Sequence, residues 1–140
     1  MRQEAGIYYV TVAGSCDYNH KDRAGGAAVV IEHDGGVIGR DVIKARHTTE
    51  FRMMLTIMRK VMEELPKGSD ILFLTNVAYI QNFDKIPSTQ SPNEDLIRSC
   101  IEAKRNHRSV GVKIVSYHKS PLLVETHERA TEAMKEGRGG

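Results

Sequence analysis

Residues 37–65 read VIGRDVIKARHTTEFRMMLTIMRKVMEEL, and inside this stretch the hydrophobic period changes. From Val37 to Lys44 apolar and polar residues alternate, which is the pattern of a strand with one buried face. From Phe51 onward the apolar positions are Phe51, Met54, Leu55, Met58, Val61, Met62 and Leu65, spaced by three and four, which marks an amphipathic helix. Thr48 or Thr49 supplies a hydroxyl to cap its first turn, and Pro66 with Gly68 follows its end, so the helix is expected over Thr48 to Leu65.

Upstream of this switch the chain reads as sheet. Ile7 to Val12 (IYYVTV) is β-branched and aromatic, as in a buried strand. Gly14 to Arg23 is polar and turn-like, and Gly25 to Glu32 (GGAAVVIE) reads as a second strand. Asp34-Gly35-Gly36 is a hairpin signal that joins it to the Val37–Lys44 strand. These three strands form an antiparallel meander. Downstream, Ile71 to Leu74 (ILFL) is wholly apolar, like a central parallel strand. Ala78 to Phe83 suggests a short helix. Asp84 to Pro92 is a loop carrying Pro87, Ser88, Ser91 and Pro92. Leu96, Ile97, Cys100, Ile101 and Lys104 repeat as another helix, Val110 to Val115 is a fifth strand, and Leu122 to Lys135 a last helix. Residues 136–140 read as a flexible tail. Helices before the fourth and fifth strands imply crossovers that lay both parallel to the first. The expected class is α/β, with one mixed five-stranded sheet and helices on both faces.

The chain of 140 residues fits a single domain, 1–140, and is long enough to bury a core. A net charge of +2 gives no global attraction for polyanions, so any nucleic acid must meet a local basic patch. Cys16 and Cys100 lie far apart and form no CxxC pair, so both are expected to be reduced. No apolar run reaches the ~20 residues of a membrane span, and Met1-Arg2-Gln3-Glu4 lacks the apolar stretch of a secretory leader. A cytoplasmic location is the expectation.

Local sequence resembles the type 1 ribonuclease H family over nearly the whole chain. The family opens its first strand with Asp-Gly-Ser, and here Val12 leads into Ala13-Gly14-Ser15-Cys16. A Gly-rich entry to strand two corresponds to Ala24-Gly25-Gly26-Ala27. The family's Thr-Thr-Asn-Asn-x-x-Glu-Leu helix start corresponds to Thr48-Thr49-Glu50-Phe51-Arg52-Met53-Met54-Leu55. Its Thr-Asp-Ser-x-Tyr pattern corresponds to Thr75-Asn76-Val77-Ala78-Tyr79, and its His-bearing loop to Val115-Ser116-Tyr117-His118. The resemblance implies the sheet order 3-2-1-4-5.

It also implies where metal chemistry would sit. The family uses two Mg²⁺ ions held by four carboxylates, one ion activating water and the other stabilising the leaving oxygen. Carried over in register, those positions are Ala13, Met54, Asn76 and Glu128, with His118 at the proton-shuttling His. They are expected to converge in one cluster, yet three of the four carboxylates are absent. Ala13 offers no ligand, Met54 offers a soft thioether that suits Mg²⁺ poorly, and Asn76 keeps an oxygen without the charge. A catalytically inactive ribonuclease H-like domain is therefore the first reading, with no cofactor. Mg²⁺ would require a site rebuilt around Glu128, Glu50 or Asp17, the last beside Asn19, His20 and Asp22.

The candidates for holding phosphate lie at two helix ends. Lys44, Arg46, Thr48, Thr49 and Arg52, with His47, surround the start of the long helix, where free amides and the dipole favour anions. Lys104 and Arg105, with His107 and Arg108, follow the end of the next helix, where charge complementing the macrodipole explains them equally well. The family's paired Asn has become Glu50 and Phe51, which removes sugar or base-edge contacts and argues against recognition of an RNA–DNA hybrid. The partner is then RNA or DNA held through its phosphates. The competing readings are a protein-interaction or oligomerisation scaffold, and a nuclease with a relocated metal site.

Overall fold

A computed structural model describes residues 3–19, 21–86 and 92–137. His20, residues 87–91 of the expected Asp84–Pro92 loop, and residues 138–140 of the expected tail lie outside the described residues. Strands β1 (Ile7–Cys16), β2 (Gly25–His33) and β3 (Gly36–Ala45) are followed by helix α1 (Glu50–Glu64) and β4 (Asp70–Thr75). A short 3-10 helix (Ala78–Asn82), α2 (Glu94–Lys104), β5 (Ser109–Ile114), a second 3-10 turn (Tyr117–Lys119) and α3 (Pro121–Gly137) complete the chain. The sheet has five strands in the order β3-β2-β1-β4-β5. β1 pairs antiparallel with β2 and parallel with β4, and β4 pairs parallel with β5. Architecture and order are those expected.

Local chemistry accounts for the turns and caps. Asp34 and Gly35 both take positive φ, 50° and 85°, as a two-residue type I′ hairpin requires. Thr49 caps α1, its side chain accepting from Arg52 N at 3.2 Å. The first strand runs further than the apolar stretch Ile7–Val12. Gly14, Ser15 and Cys16 pair with Ala27, Gly26 and Gly25, so residues that read as a turn extend the ladder. The last helix is longer than expected too, ending at Gly137 instead of Lys135.

Two cores flank the sheet. Val10, Val12, Ala27 and Val29 face the α1 side and join Met54, Leu55, Met58, Phe73 and Cys100. Ala13 and Ala28 face the other way and pack with Leu123 and Ala130 of α3. Successive strand residues alternate between these layers. α3 lies unusually close to β2: a Cβ on Gly26 would fall 2.3 Å from Ala130 O and 2.7 Å from Met134 N. Only glycine permits that approach. No helix among the described residues is long and apolar enough to cross a membrane.

Candidate functional site

The C-terminal ends of β1 and β4 and the start of α1 meet in one region, and the structure shows what fills it. Met54 is fully buried, and a Cβ on Gly14 would lie 2.8 Å from Met54 Cγ and 3.1 Å from Glu50 Cγ. The α1 side of the β1 end is thus closed by a thioether and the stem of Glu50. Ala13, 2% exposed, looks to the opposite layer, where Leu123, Ala130, Val115 and Tyr117 pack around it. Asn76 is exposed just past β4.

Glu128 does not join them. The buried face of α3 is Leu123, Thr126, Ala130, Ala133 and Met134. Glu128 is exposed on the outer side and lines a shallow groove with His127, Thr131, Glu132 and Lys135. Helix geometry sets it about 140° around α3 from Leu123, whereas His127 is only about 40° away. His127 meets the Tyr117 ring edge-on at 5.7 Å, and that ring belongs to the Ala13 layer. The expected convergence of Ala13, Met54, Asn76 and Glu128 is therefore corrected: α3 presents His127 toward this layer and turns Glu128 to solvent. His118 is exposed, its ring edge-on to Tyr117 at 5.5 Å.

A polar network not anticipated from sequence stands at the start of α1. Tyr79 OH donates to Glu50 Oε1, and Glu50 N donates to Tyr18 OH at 3.0 Å. Phe51 meets Tyr79 edge-on at 5.6 Å. Burial and the adjoining Glu50 carboxylate push the Tyr79 phenol well above its ordinary pKa, so it stays a neutral donor. Tyr79 lies within the matched Thr75–Tyr79 pattern and Glu50 one turn before Met54, which are the only sequence signals pointing to them. Asp17 Oδ1 accepts from Asn19 N at 3.0 Å within its turn. Among the described residues no group of three His, Cys, Asp or Glu side chains is placed to hold a metal ion. Both thiols are free: burial raises Cys16 above its ordinary pKa and Cys100 to about 12, so neither is a thiolate at neutral pH.

The first basic group does assemble. Lys44, Arg46, His47, Thr48 and Arg52 line a groove of about 430 Å³ between the end of β3 and α1. Its cations already have partners. Lys44 Nζ meets Glu136 Oε2 at 3.3 Å, Arg46 Nε donates to Gly137 O at 2.9 Å, and Arg52 Nη1 donates to Asn93 Oδ1 at 2.9 Å. The Thr49 hydroxyl is committed to the helix cap. The second group is elsewhere, and its cations are partnered too. Lys104 Nζ pairs with Asp84 Oδ2 at 2.6 Å, and Arg105 Nη1 with Glu102 Oε1 at 3.1 Å.

No family model and no curated protein matches the sequence. Solved structures do match. LC9-RNase H1, described as a type 1 RNase H with the type 2 active-site motif, aligns over 98% of this chain and 76% of its own, with TM-score 0.78 and 19% identity. LC11-RNase H1, isolated from compost, aligns over 96% and 99%, with TM-score 0.72 and 12% identity. RNase H1 of Halobacterium salinarum NRC-1 aligns over 94% and 97%, with TM-score 0.63 and 15% identity. This chain has the ribonuclease H-like fold. At these identities the likeness is one of architecture alone.

Proposed function

We propose that this ribonuclease H-like chain is not a metal-dependent nuclease and binds nucleic acid weakly, through phosphates, in the groove at the start of α1. The observation that carries the first half is the burial of Ala13 and Met54 in apolar surroundings where the resemblance puts two metal-binding carboxylates. The residues present do not fit a Mg²⁺ pair. A hard dication needs oxygen ligands with charge, and a methyl, a buried thioether, a neutral amide and an outward-facing Glu128 do not supply them. A rebuilt site has little support either, because Glu50 is engaged by Tyr79 and Glu128 points away.

The second half rests on the groove of Lys44, Arg46, Thr48 and Arg52 at a helix N-terminus. With two to four side chains in reach of phosphates, the log–log salt slope of binding on duplex is about −2 to −4. Lys44→Ala is expected to weaken binding to every nucleic acid tested and to make the slope shallower by about one. Incubation with an RNA–DNA hybrid and Mg²⁺ or Mn²⁺ is expected to give no cleavage. Cleavage that disappears in Glu50→Ala or Glu128→Ala protein would restore the nuclease reading. A scaffold role without nucleic acid is favoured by one observation, that the groove's cations are all partnered within the chain. Failure to bind any strand at low salt would establish that reading in place of the first.

A further inference from the structure

We infer that the start of α1 is a site for single-stranded nucleic acid, with Tyr18 and Tyr79 as stacking surfaces for unpaired bases and the Lys44–Arg52 groove as the phosphate track. This rests on the backbone-binding reading above and adds the class of strand. A surface tyrosine usually packs its ring and leaves its hydroxyl in water. Here the arrangement is reversed. Tyr18 has its hydroxyl tied to the first amide of α1 and is 59% exposed. Tyr79 has its hydroxyl tied to the Glu50 carboxylate, a T-shaped contact with Phe51, and is 47% exposed. Both phenols are anchored on the same residue, so the rings are held in place while open to solvent. Rings fixed in advance lose little rotamer freedom when a ligand stacks on them.

Charge divides the site in the way a single strand needs. Glu50 puts a carboxylate beside the rings, which repels phosphate there and leaves the faces and donor edges of bases as the complementary partners. Arg52 lies two residues on, about 200° around the helix from Glu50, on the flank that faces the basic groove. A strand crossing the helix start therefore presents phosphates to one flank and bases to the other. A duplex buries its base faces and cannot use the tyrosines. An unpaired strand can, and stacking with a neighbouring cationic groove is the general chemistry of single-strand binding.

The test is an anisotropy titration of the full chain with labelled oligothymidine, an abasic phosphodiester strand of equal length, and a duplex. The expected result is base-bearing strand bound at least about fivefold more tightly than the abasic strand, with equal salt slopes because the phosphates are the same. Tyr18→Leu is expected to remove most of that preference without changing affinity for the abasic strand. Tyr18→Phe, which keeps the ring, is expected to retain most of it. Tyr18 is exposed, so this variant carries the test even if Tyr79→Leu fails to fold. Equal binding of base-bearing and abasic strands would overturn the stacking site and leave backbone binding standing. A preference that survives both Tyr18→Leu and Tyr79→Leu would overturn it as well. Absence of binding by every strand would instead overturn the backbone reading on which this one rests.

Discussion

Met54→Glu puts back one of the two carboxylates that the resemblance places inside the protein, and the structure sets its cost. Met54 is 0% exposed, and its Cγ overhangs Gly14 at the end of β1. A glutamate there loses the apolar burial of a thioether, worth about 1.5–3 kcal/mol when complete, though its own methylenes retain part of that. Its charged form is also desolvated. Burial of this degree raises a glutamate by about 3 units, and each unit is 1.36 kcal/mol, so the penalty at neutral pH and above approaches about 4 kcal/mol. Against a total stability of about 5–15 kcal/mol for a domain, that is a large fraction. The sign in pH follows from linkage. The unfolded chain ionises this residue near pH 4.3 and the folded chain only near pH 7, so the penalty is small below about pH 4.3 and grows as pH rises to about 7. Urea unfolding followed by circular dichroism, at about pH 4.5 and about pH 8 on wild type and variant, measures it. Equal stability of the two proteins at both values would refute the reasoning, because it would mean that the side chain reaches water and the region is open. Recovery of the lost stability by millimolar Mg²⁺ would refute the proposed function instead, by revealing ligands that the assignment excludes.

Three other outcomes are expected. Gly26→Ala pushes a methyl into the α3 backbone, 2.3 Å from Ala130 O, and is expected to cost about 1–3 kcal/mol or more in urea unfolding. Gly111→Ala, which meets only Leu72 Cδ1 at 3.5 Å, should be close to neutral in the same assay, and comparable losses for the two would contradict the packing of α3. Glu136→Gln releases Lys44 from its 3.3 Å ion pair, so affinity for a single strand is expected to rise about two- to fivefold with a steeper salt slope, and an unchanged slope would place Lys44 outside the interface. The Ser109 hydroxyl, and then Arg108, hold the Asp70 carboxyl below its ordinary value. A depressed carboxylate contributes stability above its unfolded pKa and loses it as pH falls through the folded one. Asp70→Asn is therefore expected to flatten the loss of stability below about pH 4 in acid unfolding, and an unaltered acid limb would assign that loss to other carboxylates.

The elements that were legible are those whose side chains carry a period. The α1 stripe is made of large apolar residues, Met54, Leu55, Met58, Val61 and Met62, and all of them are buried. The end of β1 was not legible, because Gly14, Ser15 and Cys16 have no hydrophobic signal. Their extended state is imposed by pairing with Gly25–Ala27 and by helices that approach on both sides. The Lys44–Arg52 groove was legible because its members are close in sequence. What sequence did not show is that each of its cations is answered from elsewhere, by Glu136 and Gly137 at the end of α3 and by Asn93 before α2.

The phase of α3 explains why Glu128 was misplaced. Its buried face is Thr126, Ala130 and Ala133 with only Leu123 and Met134 of any size, and small residues of that kind are tolerated on either side of a helix. A one-residue shift in such a pattern leaves the sequence match almost unchanged and rotates every side chain by about 100°. The structure resolves the ambiguity by packing, because α3 can approach Gly26 so closely only with Ala130 and Met134 turned inward. With that phase fixed, the layer around Ala13 receives an imidazole beside Tyr117 where a carboxylate would be needed. The other flank receives Glu50, whose backbone N–H donates to Tyr18 and whose carboxylate accepts from Tyr79, 32 and 29 residues away in the chain. A contact of that range leaves no periodic or spacing signal. The Glu50 carboxylate is thus tied into an exposed aromatic surface and is not left open to a cation, which is the arrangement the proposed single-strand site requires.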